Sequence, residues 1–364
     1  MTIQSIMVNL PLTMEENSIR RCEMTKENAT IQDVANLAGV SKATVSKYIN
    51  DIPYVATKTR KKIAEAIEEL QFRPNTFARG LANKSLSLIG LVISDFQVSI
   101  NMELIKAIEV ESRRLGYNLV LVSTDDDDKK EEEVCEILIN QYRHLDGIIL
   151  ANMRINGTSL SKLEGVFKNI VMVHRHVESM AVDYVVIDGY LGGKLAAEYL
   201  IRQGHKNLAM ISGPTNIFQF KERIEGFKSV IKEYGIEEQA LIIETDQSLE
   251  EGYRAAERIV LEHKLATAIF ASSDMLALGV IEAATHYGWD IPNEISLIGY
   301  DNIFFSKLAR VPLTTIDSRM KELGTTAVQL LNERIKGRAT LEQIKLRPSL
   351  VVRDSCIKLS VPNK

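Results

Sequence analysis

The sequence predicts a small all-α helix-turn-helix head followed by a larger α/β core of two doubly wound lobes. Three observations predict this. The chain has 364 residues, 45% apolar and 25% charged, an ordinary globular composition but too long for one hydrophobic core, which rarely grows past about 250–300 residues. Residues 25–84 carry ten Lys and Arg against six Asp and Glu although the whole chain has a net charge of −4, so a basic module precedes an acidic body. Apolar residues recur at helical spacing in the basic part, and after Leu88 short apolar runs alternate with helical ones.

Composition also excludes classes. No apolar run approaches the ~18 residues of a membrane span. Cys22, Cys135 and Cys356 are too few and too scattered for a disulfide framework and fit a reducing compartment. The first segment has no early Lys or Arg, and its best apolar run, Ile6-Met7-Val8, stops at Asn9, which is no export signal. Met24 opens a cleaner start, so residues 1–27 are expected to be a disordered tail or a mis-called beginning. The expected location is cytoplasmic, with the nucleoid.

The head comes first. Thr30-Ile31-Gln32-Asp33 has the form of a capping box, and Ile31, Val34, Ala35 and Ala38 follow at helical spacing. Gly39 permits a sharp turn with Val40 beneath it. Ser41 can cap a second helix with Val45 and Ile49 inward and Tyr48 alongside. A third helix is expected from about Thr57 to Leu70, burying Ile63, Ala66, Ile67 and Leu70. A second helix so presented enters a DNA major groove with its early residues at base edges. Lys42, Ala43, Ser46 and Lys47 face outward on it; Lys47 suits guanine acceptors and Ala43 a thymine methyl. Ser41, Thr44, Asn50 and Tyr54 are candidates for phosphate contacts, and Thr30, the cap of the first helix, is counted with this DNA-contacting set. After Arg73-Pro74-Asn75, the stretch Asn75–Ala82 is too short for a stable isolated helix in water; it is expected to be helical only with outside support.

The core follows as strand and helix in turn. LIGLVIS, YNLVLVS, GIILAN and NIVMVH read as buried parallel strands, with helices at Met102–Leu115 and Lys130–Tyr142 between them. Beyond Asp188 come helix Gly193–Gln203, strand LAMISG, helix Glu222–Glu233, strand ALIIET, helix Glu251–His263, strand ATAIFAS, helix Met275–Tyr287 and strand SLIGYD. Two doubly wound sheets place a ligand beyond the carboxyl ends of their strands. The loops there supply Ser94, Asp95, Phe96, His174, Arg175, Phe218, Phe220, Gln247, Ser273, Asp274 and Asp301.

TIQDVANLAGVSKATVSKYIN and RPNTFARGLANKS, followed in order by GHKNLAMISGP, SSDMLALGV, ISLIGYDN, VPLTTID and LRPSLVVRDS, resemble LacI/GalR-family bacterial transcription regulators over residues 28–356. The resemblance implies a periplasmic-binding-protein-like core, with chain crossovers near Asp188, Asp317 and Pro348. The domains expected are 28–73 for the DNA-binding head, 74–86 for hinge and linker, and 87–364 for the core. Its N-lobe would span about 87–188 and 318–347, its C-lobe about 189–317 and 348–364. In the family the hinge folds on DNA and a paired leucine wedges into the minor groove, the place of Leu81 and Ala82 here; such wedges kink the duplex. The family also places an effector-gripping arginine where Arg223 stands. Its planar fork suits vicinal hydroxyls or a carboxylate, with Asp301 accepting from hydroxyls opposite. Purine-responsive members stack aromatics on the base. Ile100, Asn101 and Gln247 stand at those positions here, so Asn101 and Gln247 join the effector set and a hydroxylated ligand, a sugar or sugar derivative, is favoured. Phe96, Phe218 and Phe220 would offer it an apolar platform or else belong to the core. The catabolite-control branch binds a phosphorylated carrier protein through arginines after GYDN; IFFSKLAR has Arg310 alone.

Three other motifs carry no chemistry. Asp125–Asp128 before a lysine-rich helix reads as capping rather than metal binding. His174-Arg175-His176 lacks an accompanying nucleophile or acid pair. Gly189–Lys194 is one residue short of a phosphate loop, with Leu195 in place of Ser or Thr. No catalytic centre, metal or cofactor is therefore expected. The reading is a DNA-binding regulator, a repressor working as a homodimer on a palindromic operator under a small effector. The alternative is a solute-binding protein or sugar sensor without a DNA role, which leaves the head and hinge unexplained.

Overall fold

The computed structural model describes residues 29–49, 55–72, 86–96, 99–152, 157–175, 181–263 and 266–359, in two compact units that divide after Leu86. Asn50, Tyr54, Leu81, Ala82, the hinge segment Asn75–Ala82 and the tail 1–27 lie outside the described residues.

The first unit holds α1 (Ile31–Ala38), α2 (Lys42–Ile49) and α3 (Thr57–Glu69). Both halves of the expected capping box are present. The Asp33 amide donates to the Thr30 hydroxyl and the Thr30 amide donates to the Asp33 carboxylate at 2.8 Å. Gly39 closes α1 at φ 65°, a left-handed conformation that costs glycine little. The Ser41 hydroxyl accepts from the Thr44 amide at 3.1 Å and starts α2. Val34, Ala35, Val45 and Ile63 are fully buried where the three helices meet. Ile67 and Leu70 are only partly covered, being at the rim of a core this small.

In the second unit the order is β1 (Leu88–Ile93), α4 (Ser99–Arg114), β2 (Asn118–Ser123), α5 (Asp128–Gln141), β3 (Gly147–Ala151), α6 (Gly157–Glu164), β4 (Ile170–Val173), β5 (Asp183–Ile187), α7 (Gly189–Arg202), β6 (Leu208–Ser212) and α8 (Phe218–Glu233). It continues with β7 (Ala240–Glu244), α9 (Leu249–His263), β8 (Ala268–Ala271), α10 (Asp274–Tyr287), β9 (Ser296–Asp301), β10 (Thr314–Asp317), α11 (Met320–Ile335), β11 (Gln343–Leu346) and β12 (Ser349–Val351). One sheet has the strand order β11-β5-β4-β3-β1-β2, the other β12-β10-β9-β8-β6-β7. Every pairing is parallel except β12 against β10. The chain passes between sheets after β5, after β10 and between β11 and β12.

Both sheets are covered on both faces, as parallel sheets require. In the first lobe α4 and α11 supply Leu104, Ile108, Leu323 and Val328 to one face, and α5 supplies Val134, Cys135 and Leu138 to the other. In the second, α9 and α10 cover one face through Ala256, Ile259, Ala277 and Val280; α7 and α8 cover the other through Ala197, Leu200, Phe227 and Val230.

The expected strands all form, but β5, β10, β11 and β12 are additions. β11 and β12 are four and three residues long and mostly half-exposed, so no apolar run marks them. Helices begin earlier than expected: α7 at Gly189, because the Asp188 side chain accepts from the Leu191 amide, and α8 at Phe218. The acidic run does cap: Asp127 accepts from the amides of Lys129 and Lys130 at 2.9 and 3.0 Å. Gly189, Gly192 and Gly193 are packing glycines. A Cβ on Gly193 would lie 2.0 Å from the Arg223 carbonyl oxygen, and one on Gly192 would lie 2.5 Å from the Tyr300 ring. Their bareness lets α7 lie directly against α8 and β9.

Asp183, fully buried, ties the end of α11 to the first sheet. Its carboxylate accepts from Arg334 Nε at 2.7 Å, from Arg338 Nη2 at 2.7 Å and from the Glu342 amide at 2.8 Å. Burial works to raise its pKa, but these donors together outweigh that and hold it below the usual carboxylate range.

Candidate functional site

Two surfaces follow from the fold. On the head, Lys42, Ala43 and Lys47 are exposed along α2 while Val45 faces inward. Ser41 and Thr44 share a hydroxyl–hydroxyl hydrogen bond of 2.8 Å at its start, and Ser46 is half-buried. The Thr30 hydroxyl donates to Asp33 Oδ2 at 2.6 Å. Thr30 is exposed and forms the cap of α1.

The second surface lies in the core unit, where strand ends of the two lobes come together. Three residues at those ends adopt φ values that side chains rarely take: Asn152 after β3 (58°), His174 after β4 (66°) and Asp301 at the end of β9 (109°). Such strain persists only where the surrounding structure enforces it, and it gathers at ligand sites.

Arg223 stands at the centre, one turn into α8 and 3% exposed. Its guanidinium lies over the Tyr300 ring, 3.6 Å from the centroid, with the Phe220 ring at 5.2 Å. Nη1 donates to the Ser272 carbonyl and Nη2 approaches Asp301 Oδ1 at 3.5 Å, while Nε has no partner among the described residues. One 3.5 Å contact offsets little of the cost of burying a carboxylate. Burial accordingly pushes Asp301 up to about 8, against the pull of Arg223 and helped by Asp274. Near neutral pH this carboxyl can donate or accept.

His174 reaches the same place from the first lobe. One nitrogen of Gln219, on α8 one turn before Arg223, donates to the His174 carbonyl at 2.6 Å and to its Nδ1 at 3.2 Å. These bonds join the lobes. Burial, with the charge of Arg223 nearby, pulls the imidazole down to about 3, so it is neutral at physiological pH. Its Nε2 and the Gln219 Oε1 are buried without partners among the described residues.

Other expected site residues divide. Asp95 and Arg175 are half-buried and Phe96 is exposed at the first lobe's strand ends, and Phe218 is half-buried at the start of α8. Gln247 is exposed beyond β7. Five expectations are corrected. Asp274 is fully buried, with Oδ1 accepting from the Thr315 hydroxyl at 2.6 Å and Oδ2 from the Ile303 amide at 2.9 Å; it holds loops of the second lobe together. Ser273 is the N-cap of α10, accepting from the Leu276 amide. Asn101 is spent on its own lobe, donating to the Asp95 carbonyl at 2.6 Å and accepting from Asn152 at 2.6 Å. Ser94 is 6% exposed and its carbonyl accepts from Thr124. Phe220 is 3% exposed, its ring against Gly213 and Arg223, so it is a packing residue rather than a platform. Gln219 and Tyr300 escaped sequence reasoning; only a 3.6-residue count back from Arg223 would have put Gln219 beside it.

A helix-turn-helix head joined to a two-lobed, strand-end ligand site defines a class, the DNA-binding transcriptional regulators with a periplasmic-binding-protein-like core. Residues 30–75 match the model for bacterial regulatory proteins of the lacI family, and residues 197–356 match that for a periplasmic binding protein-like domain. The chain is 37% identical to the HTH-type transcriptional regulator DegA of Bacillus subtilis over 336 residues, 91% of this chain and 99% of that protein. It is 35% identical to the HTH-type transcriptional repressor PurR of Pasteurella multocida, over 90% of this chain and 98% of that one. Among solved structures it is similar to the lac repressor dimer bound to operator and the anti-inducer ONPF, with a TM-score of 0.81 and 27% identity over 91% of this chain and all of the other. The chain belongs to the lacI family of bacterial regulatory proteins. The match over 30–75 leaves no room for the solute-binding alternative, and the relatives are regulators rather than enzymes. Among the described residues no helix is long and apolar enough to cross a membrane.

Proposed function

We propose that this chain is a repressor that grips a palindromic operator as a homodimer, with its affinity set by a small hydroxylated effector, a sugar or sugar derivative, held between the lobes. The observation that carries this reading is the buried Arg223–Asp301 pair at the strand ends, with Arg223 flat on Tyr300. A planar donor fork opposite a carboxyl that can donate or accept suits vicinal hydroxyls. The stacking aromatics that a flat base would need are missing at Ile100, Asn101 and Gln247, of which the first two are buried in their own lobe. A solved relative, a LacI family transcriptional regulator from Enterococcus faecium with bound ribose, is 28% identical over 75% of this chain and all of that one, with a TM-score of 0.67.

Effector binding then biases lobe closure, and closure biases DNA affinity. Residues 28–73 form the reading head, 74–86 the hinge with Leu81 and Ala82 as the minor-groove wedge, and 87–364 the core. Asn50 and Tyr54 join Ser41 and Thr44 at phosphates. Pairing of two copies is supported by an apolar groove on the core, lined by Leu249, Met275, Leu278, Ile281, Phe305 and Leu308, since large exposed apolar patches mark interfaces. The working location is the cytoplasm.

The test is operator binding. Fluorescence anisotropy with palindromes selected from genomic DNA should show preference over bulk DNA that a sugar modulates; no preference for any palindrome, with or without sugars, refutes the proposal. Lys47→Ala should weaken binding to the preferred palindrome by about 1–3 kcal/mol while leaving random DNA unaffected. Equal loss on both would make Lys47 a phosphate contact.

A further inference from the structure

The chain passes between the lobes at Asp188 and again after Leu346. These two crossings lie side by side, the Asp188 amide donating to the Leu346 carbonyl at 2.9 Å. Ile344 and Leu346 of β11 pack on the core of the first lobe. Lys345 between them therefore points to the opposite face, since side chains alternate along a strand. There its Nζ meets two carboxylates, Glu222 Oε1 at 2.9 Å and Asp188 Oδ1 at 3.4 Å. Glu222 belongs to α8 in the second lobe, and its other oxygen accepts from the Gly189 amide at 3.2 Å. The approach is close, for a Cβ on Gly189 would lie 2.9 Å from that of Glu222. One carboxylate of α8 thus grips both crossings at once.

Glu222 directly precedes Arg223, and successive helical residues diverge by about 100°, so one faces the crossings while the other is buried at the strand ends. Whatever holds Glu222 also sets where Arg223 stands. Without the charge of Lys345, Glu222 and Asp188 would be two like charges that had shared one ammonium, and they would repel. The pair is partly open to water, the Lys345 side chain being 44% exposed and that of Glu222 13%, so its strength is modest. Its leverage comes from its place at the crossings about which the lobes turn. We propose that Lys345 is a positioning residue: acting through Glu222, it fixes the first turn of α8 against the paired crossings, and so holds Arg223 and the lobe angle in the arrangement that takes up effector. This rests on the proposed effector control and adds a control point outside the ligand site, since the ligand need touch neither Lys345 nor Glu222.

The test uses the full chain carrying Lys345→Met, Lys345→Arg, Glu222→Gln, or Lys345→Met and Glu222→Gln together. A cooperative thermal transition shows that each variant is folded. Without ligand, hydrogen exchange over 188–192 and 218–225 should be about threefold faster or more in Lys345→Met, the scale of one partly exposed ion pair. Exchange over 249–263 should stay unchanged, and Lys345→Arg should match the parent throughout. Unchanged exchange in both affected segments overturns the clamp whatever ligand is found. Calorimetric titration with D-ribose, D-glucose, cellobiose and hypoxanthine then identifies a compound that binds the parent. That compound should bind Lys345→Met and Glu222→Gln each about threefold more weakly or worse, and Lys345→Arg like the parent. The double variant should bind it no more weakly than the weaker single variant, because residues acting along one path are not additive. Additive losses overturn the route through Glu222, and unchanged affinity in Lys345→Met overturns the positioning role; both leave the effector reading intact. Binding of hypoxanthine alone overturns the sugar reading, and the variants still decide this inference on that compound. No binding of any of the four to the parent overturns the effector reading and this inference with it.

Discussion

Arg223→Ala is expected to retain operator binding and to lose its response to effector. Arg223 has no part in the head, and it lies in the unit that begins at Ser87, so the reading surface of α2 is untouched. In the cleft the loss is large. The guanidinium supplies the bond to Ser272, the approach to Asp301 and the flat contact with Tyr300. A hydrogen bond involving a charged group is worth about 1.5–3 kcal/mol, and an effector would lose those the guanidinium gives it. It should therefore bind about tenfold to a hundredfold more weakly, at 1.4 kcal/mol per tenfold. Arg223→Lys should fail as well, since a point charge reproduces neither the fork nor the stack. Calorimetry with the cognate sugar, beside anisotropy on the operator with and without it, reads both halves; an effector response like that of the parent removes Arg223 from the site.

Asp183→Ala is expected to destabilise the core by about 3–5 kcal/mol, the cost of breaking a buried ion pair on one side. Two guanidinium groups, Arg334 and Arg338, each only 15% exposed at the side chain, would lose their shared acceptor, and the Glu342 amide would lose its own. Thermal unfolding should register a drop on the order of 10 °C, given roughly 2–4 °C per kcal/mol in a domain of this size. The pH dependence has a definite sign. Because the carboxylate is held below its ordinary value of 3.8, its contribution is complete above that pH and disappears as pH falls through the native value. The gap between parent and variant should be full at pH 7 and close in strong acid. A gap as large in strong acid as at pH 7 would mean that packing, not charge, holds this corner.

Much of the head was legible because its determinants are local. The Thr30–Asp33 box, Gly39 at its left-handed turn and Ser41 before α2 each act within four residues, a range that sequence spacing reports directly. The buried strands of both sheets were legible for a related reason: runs such as Gly147–Ala151 and Leu208–Ser212, buried throughout, are apolar without interruption. The edge strands β11 and β12 escaped because they are short and half-exposed, and because the pairing that makes them strands comes from residues more than thirty positions away.

The candidate site divides along the same line. Residue type and motif pointed to Arg223 and Asp301 and to His174 at its strand end. Nothing local told Asp274, which turns inward to Thr315 and the Ile303 amide, from Asp301, which meets Arg223. Asp301 ends β9 and Asp274 opens α10 just after β8, and their fates are set by what packs against them. Phe220 was ambiguous until Gly213 was seen to make room for its ring. The glycines of α7 looked like a failed phosphate loop until the carbonyl of Arg223 was found where a Cβ on Gly193 would be.

From its order of residues alone this chain is determined to have a DNA-reading head and a doubly wound core, since caps, turns and apolar periodicity act over a few residues and need no partner. Only the tertiary structure decided which polar groups at the strand ends are spent on the protein itself and which stay without a partner among the described residues. Hydrogen-bond satisfaction is a property of atoms brought together across the chain: His174 and Gln219 lie 45 positions apart, and their remaining valences follow only once they meet.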